Sequence, residues 1–301
     1  MSLPVQNDIV STNRLAASTL RRIRCAHIAK LPPVKGMTSG LKDLDRVIRG
    51  FHPGDLVVLS SRPRLGSTAL ALQIATHNAL RARTPVLIFS MSVWKEPLMQ
   101  RLIAAESQSS LMGIRTGFFA PRIWLKLSKV AMKLSKASIA VVDTPGLTVA
   151  DAAAIAQRHA ASLGMRNQRL GLIIVDDLDS LHDPKTSRYT ADQLLALATD
   201  WKKTAQNLKV PVIVTARHTA FADSGQVDQH GPSMNDSLQS AALARVADVL
   251  IYVHRDPNRH PDSYEPEENV ELICKKTTRH GFESRIEATF DPNCARFSNR
   301  R

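Results

Sequence analysis

Asp55-Leu56-Val57-Val58-Leu59-Ser60 is an aliphatic run too continuous for a strand with one wet face. It passes through Ser61-Arg62-Pro63-Arg64-Leu65-Gly66-Ser67 straight into the helical stretch Thr68-Ala69-Leu70-Ala71-Leu72-Gln73-Ile74-Ala75. A strand that is apolar on both sides must be covered on both faces, which is the condition of a parallel sheet. The alternation recurs along the chain. Further strand candidates are Val86 to Ser90, Ile139 to Asp143, Leu172 to Asp176, Val212 to Ala216, Val249 to Val253 and Val270 to Lys275. Helical stretches at Thr68 to Arg81, Glu96 to Gln108, Val149 to Leu163 and Thr190 to Leu208 separate them, and Glu283 to Phe297 reads as a returning strand pair. The pattern predicts an α/β fold with a mainly parallel sheet and helices on both faces.

The loop after the first strand carries chemistry. In strand–loop–helix units of this kind, backbone N–H groups and the helix N-terminus cradle phosphates. A lysine reaches the β- and γ-phosphates, and the following Ser or Thr binds Mg²⁺. Gly66 and Thr68 occupy two of those positions, and Ser67 stands where the lysine belongs. Arg62, Arg64, Leu65, Gly66, Ser67 and Thr68 are therefore candidate nucleotide-binding residues, with Arg64 the candidate to swing toward a phosphate, against the plainer reading of a solvent-facing basic residue. Thr68 and Asp176, at the end of a strand, are candidate Mg²⁺ ligands. The competing reading makes Thr68 a helix cap and Asp176 a strand-end residue. Asp177 and Asp179 follow Asp176, but alternation past a strand end points such carboxylates in different directions rather than at one metal ion.

Composition narrows the class. The 301 residues suffice for one large domain, and the formal net charge of +13 favours an anionic partner, nucleic acid before membrane. Cys25, Cys274 and Cys294 are too scattered for a disulfide framework or a zinc site. No leader pattern and no membrane-length apolar run is present, so the expectation is a cytoplasmic protein. Residues 8 to 29 show a helical pattern rich in arginine, with Arg14, Arg21, Arg22 and Arg24, and Pro32-Pro33 fences it off. The expected organisation is a basic linker helix over 1–35 and one domain over 36–301. A helix of this kind cannot bury its own apolar side, and would pack on the domain or on a neighbouring chain. Two polar stretches, His182 to Tyr189 and Phe221 to Met234, are expected as loops.

Taken in order, the motifs resemble the motor domain of DnaB-type replicative helicases. The resemblance is carried by Met37-Thr38-Ser39-Gly40-Leu41-Lys42-Asp43-Leu44-Asp45-Arg46, Phe51-His52-Pro53-Gly54-Asp55-Leu56 and Ser61-Arg62-Pro63 with Gly66. It continues in Asp143-Thr144-Pro145-Gly146, Ile173-Ile174-Val175-Asp176, Val210-Pro211-Val212-Ile213 and Ala247-Asp248-Val249-Leu250. It implies a RecA-like P-loop NTPase fold, ATP and Mg²⁺ as cofactors, ring hexamers with nucleotide sites between subunits, and single-stranded DNA in the channel. The departures fall where the chemistry would be. Ser67 replaces the loop lysine, Ser92 the catalytic glutamate, and Arg217 the glutamine that senses the γ-phosphate. Asp236-Ser237-Leu238-Gln239-Ser240-Ala241 lacks the charged pair of the family's Asp-Leu-Arg-Glu-Ser-Gly stretch. Arg279 matches the arginine offered to the neighbouring nucleotide when the alignment is set on Gly281, which turns the family's lysine into Thr277; alignment on Lys275 keeps the lysine instead. The family's N-terminal domain has no counterpart in the sequence.

Losing a charge-assisted phosphate contact costs roughly 1.5–3 kcal/mol, or about ten- to a hundredfold in binding. Losing a general base removes a further factor of about 10² to 10⁴. The expectation is a catalytically degenerate helicase paralogue that serves as a binding or regulatory partner in DNA replication. It would associate with single-stranded DNA through Lys185 and Arg188, and with copies of itself, as hexamers in the family, or with a full-length DnaB-type helicase. An active ATP-dependent translocase using Arg64 or Arg217 as the cation, and a nucleotide sensor without hydrolysis, are the alternatives.

Overall fold

In the computed structural model the described residues are 36–144, 146–180, 190–217, 238–255, 268–277 and 283–300, with a few positions between 12 and 24. The chain divides into two units, Met1–Lys35 and Gly36–Arg301. In the first, Thr12, Ala16, Thr19, Leu20, Arg21 and Arg24 are helical and exposed.

The second unit is built on one nine-stranded sheet. Its strands are β1 (Leu56–Ser61), β2 (Val86–Ser90), β3 (Ile139–Val142), β4 (Leu172–Asp176), β5 (Val212–Arg217), β6 (Val249–His254), β7 (Glu268–Thr277), β8 (Ser284–Asp291) and β9 (Arg296–Asn299). They lie in the order β3-β2-β4-β5-β1-β6-β7-β8-β9. The strands from β3 to β6 are parallel, and β7, β8 and β9 add an antiparallel meander. The helices are α1 (Lys42–Ile48), α2 (Ser67–Arg81), α3 (Lys95–Ser107), α4 (Leu111–Thr116), α5 (Pro121–Ser135), α6 (Val149–Gly164), α7 (Ala191–Leu208) and α8 (Leu238–Val246).

Strand alternation divides the core into two layers. Val57 and Leu59 face one side with Leu70 and Ile74 of α2 and Leu98 and Leu102 of α3. Leu56 and Val58 face the other with Ala152 and Ala156 of α6 and Trp201 and Ala205 of α7. Trp201 is fully buried and packs on Phe89 with ring centroids 5.6 Å apart. The doubly covered parallel sheet expected from the apolar runs is the observed architecture.

Four helices had no place in the sequence reading, α1, α4, α5 and α8. Pro121 opens α5 at a position where its missing N–H costs nothing. Leu127 and Leu134 then turn inward at helical spacing.

Candidate functional site

β1 is flanked by β5 and β6, strands far away in sequence. Their C-terminal ends, with that of β4, converge on the loop that leaves β1. The loop turns through Arg64 at φ 69° and Gly66 at φ 102°. At Gly66 a side chain is excluded twice over. Its φ is left-handed, and a Cβ would lie 3.0 Å from the Phe297 ring on β9. α2 starts at once, without a side-chain cap, so its first-turn N–H groups gain no partner from the residue before it.

The lysine position is occupied by a hydroxyl pair. Ser61 at the end of β1 donates to Ser67 Oγ at 2.8 Å. Next to it, Thr68 Oγ1 donates to Asp176 Oδ1 at 2.7 Å, and Thr215 Oγ1 of β5 donates to the same oxygen at 2.7 Å. Asp176 is almost fully buried, and its Oδ2 has no hydrogen-bond partner. Burial pushes its carboxyl above the ordinary range, while the two hydroxyls pull it back. Thr215 escaped the sequence reading, although a threonine inside the apolar run Val212 to Ala216 is a signal of a buried polar partner.

The neighbouring carboxylates diverge. Asp177 Oδ2 accepts the Arg217 guanidinium at 3.1 Å, and Asp179 Oδ2 accepts the Arg217 backbone N–H at 2.8 Å. Burial raises Asp179 to about 6. Among the described residues no group of three or more His, Cys, Asp or Glu side chains converges as a metal cluster would. The sequence reading left Arg217 to fill the γ-phosphate space or to replace the lysine; its guanidinium here donates to Asp177. Ser92 is exposed in the turn between β2 and α3.

A cleft of about 340 Å³ opens beside the loop along α2. Arg64, Gly66, Ser67 and Thr68 line its loop end, and Arg101 of α3 and Arg115 of α4 face it. Neither of these last two arginines was singled out from the sequence. Arg101 interrupts the apolar stripe Leu98, Leu102 and Ala105, and that interruption was the available signal. Arg62 is half-buried and Arg64 exposed. Lys275 Nζ donates to Glu283 at 2.6 Å. Lys185, Arg188 and Arg279 lie outside the described residues.

The donors for a Mg²⁺ ion are consistent with the site. Thr68 Oγ1 and the Asp176 carboxylate are hard oxygen ligands, and the unpartnered buried Oδ2 is an acceptor awaiting a cation or its water.

A strand–loop–helix of the phosphate-loop type at the carboxyl ends of a parallel sheet, with a Thr–Asp pair beneath it, defines a RecA-like fold. Residues 36–299 match the model of the DnaB-like helicase C-terminal domain. The replicative helicase DnaB of Geobacillus stearothermophilus is 30% identical over 267 residues, covering 88% of this chain and 57% of that protein. The replicative helicase DnaC of Bacillus subtilis is 30% identical over 271 residues, covering 88% and 57%. The chain therefore spans little more than half the length of these relatives. Among solved structures, the ATPase domain of G40P superposes with a TM-score of 0.84 at 24% identity, covering 98% of this chain and all of that one. A DnaB-like replicative helicase, solved in work on its interactions with primase, gives 0.81 at 24% identity over 99% of this chain and 69% of that one. The chain belongs to the DnaB-like helicase family and carries its C-terminal domain.

Proposed function

We propose that this chain is a catalytically degenerate member of the DnaB-like helicases, a partner in DNA replication that does not drive strand separation by its own ATP turnover. The observation that carries this reading is the Ser61–Ser67 hydroxyl pair, which stands where a phosphate-binding lysine would be. Phosphoryl transfer depends mainly on positioned positive charge and on a group that orients the attacking water. Ser67 supplies no charge, exposed Ser92 is no general base, and the Arg217 guanidinium is held by Asp177. What remains is a holding function. Thr68 and Asp176 would keep Mg²⁺, which when bound neutralises phosphate charge, and the loop N–H groups would orient the phosphates.

The partners on this reading are single-stranded DNA and another motor domain, either a second copy or a full-length DnaB-type helicase. The surface of α5 supports association. Trp124, Leu125 and Met132 are exposed, and helical spacing puts Leu125 and Met132 on the face turned away from the buried Leu127 and Leu134. Large apolar side chains on a helix face turned away from its own core mark a docking surface.

ATPase activity measured with single-stranded DNA tests the reading. The expected rate is at background, and Ser67→Lys with Ser92→Glu is expected to raise it. DNA-stimulated turnover by the unmodified chain would establish the translocase reading instead. A second reading, nucleotide sensing without hydrolysis, is favoured by the intact Thr68–Asp176 pair. Binding of ATP that depends on Mg²⁺, with no turnover, is its signature.

A further inference from the structure

A parallel sheet sends every helix-to-strand connection to one end, opposite the end that carries the loop after β1. Four such connections enter the neighbouring strands β3, β2, β4 and β5. Lys136, Arg83, Arg169 and Lys209 each stand three residues before the first residue of one of these strands. The strands start level, with Val86 paired to Ile139 and Leu172, and Ile173 paired to Val212. At about 4.8 Å per strand, the four positions form a row roughly 14 Å long. Arg166 adds a fifth cation in the same connection as Arg169. All five are exposed, and among the described residues none of them is in an ion pair. The connections 82–85, 136–138, 165–171 and 209–211 contain no Asp or Glu.

Helix ends account for only part of this row. A cation just after a helix gains about 0.3–1 kcal/mol from the helix dipole. Arg83 and Lys209, however, lie in the left-handed region, each at φ 54°. A residue with a Cβ is disfavoured there by about 1–2 kcal/mol, and glycine or asparagine is the usual occupant. The dipole gain does not exceed that cost, so local stability does not select these two side chains. Aligned like charges repel one another, and a polyanion laid along them removes the repulsion. A row of this length spans about four successive phosphates of one strand of a duplex, at 3.4 Å of axis each. The same connections hold no aromatic ring on which an unpaired base would stack.

We propose that this end of the sheet is a separate nucleic-acid surface, on which Lys136, Arg83, Arg169 and Lys209 hold the phosphate backbone of a duplex without reading its sequence. The surface lies at the opposite end of the sheet from the loop after β1, and it uses neither Lys185 nor Arg188. It concerns duplex binding alone, so its failure and the failure of the non-turnover reading are separate results.

Fluorescence anisotropy of a labelled, random-sequence DNA duplex, titrated with the full chain across salt concentrations, tests the surface. The unmodified chain is expected to bind at low salt and to release the duplex as salt rises. Each duplex phosphate contact contributes about 0.9 to the slope of log affinity against log salt. Arg83→Asn with Lys209→Asn removes two charges and suits the left-handed backbone. Its melting temperature should hold or rise while the slope falls by about 1.8, a combination that a misfolded variant would not give. Lys136→Glu with Arg169→Glu should abolish duplex binding, and Lys185→Ala with Arg188→Ala should leave the duplex slope unchanged. An unchanged slope in the folded asparagine variant overturns the proposal, as does absence of duplex binding at low salt. A single-stranded oligonucleotide that loses affinity in the same proportion overturns the assignment to a duplex. Binding of polyglutamate in place of the duplex overturns the proposal in favour of an acidic protein surface.

Discussion

Asp179 shows how a side chain outside any catalytic role can set the pH response of this fold. Its carboxyl is raised to about 6 in the folded chain against an ordinary value of 3.8, chiefly because burial penalises the charge. The folded state therefore binds the proton more tightly than the unfolded one. Between those two values stability falls as pH rises, and above about 6 the ionised group is a full liability. Asp179→Asn keeps an oxygen for the Arg217 N–H and removes the charge. It is expected to raise stability above pH 6 by on the order of 1–3 kcal/mol and to flatten the slope on the acid side, as measured by urea unfolding across pH. Gly66 is constrained by geometry instead. With φ at 102° and Phe297 3.0 Å from any Cβ, Gly66→Ala should cost about 1–2 kcal/mol or more, and thermal unfolding reads it directly.

Among the helices, α5 and α7 meet their surroundings in opposite ways. α7 begins with a capping box at Thr190 and Gln193 and buries Leu194, Ala198, Trp201 and Ala205 against the sheet. Replacing Trp201, which is 0% exposed, by alanine should cost about 3–5 kcal/mol through lost contacts and the cavity left behind. α5 buries far less than its pattern offers. Phe119 and Trp124 stack with centroids 6.4 Å apart at its outer edge. If this surface docks a second motor domain, Trp124→Ser with Leu125→Ser will leave the melting temperature nearly unchanged while shifting sedimentation toward monomer. A monomeric unmodified chain that also fails to bind a DnaB-type helicase would remove the docking role.

Over the whole molecule, a net charge of +13 on 301 residues gives a field favouring polyanions. If single-stranded DNA is a partner, its affinity should fall steeply with salt. Each phosphate contact contributes about 0.7 to the slope of log affinity against log salt. Lys185→Ala and Arg188→Ala should each lower the slope by about that amount if they contact the backbone. An unchanged slope would assign the salt dependence to charge elsewhere on the chain. With aromatic residues at 5% of the sequence, electrostatic contacts rather than base stacking are expected to dominate.

Local chemistry made the sheet and its phosphate loop legible in the sequence. Continuous runs such as Leu56 to Ser60 declare a strand covered on both faces, and Gly66 declares a backbone position that few other residues tolerate. The motif order from Met37 to Leu250 carried the family, and Ser67 and Ser92 marked two positions where the sequence departs from its pattern. What lay beyond the sequence depends on which distant segments become neighbours. Thr215 meets Asp176 because β5 lies between β4 and β1. Arg217 turns to Asp177 because the strand end presents a buried carboxylate within its reach. Arg101 and Arg115 face one cleft because α3 and α4 fold over the flank of α2. Periodicity along a chain records which face of an element is apolar, whereas convergence of charges is a property of the packed sheet and its helices.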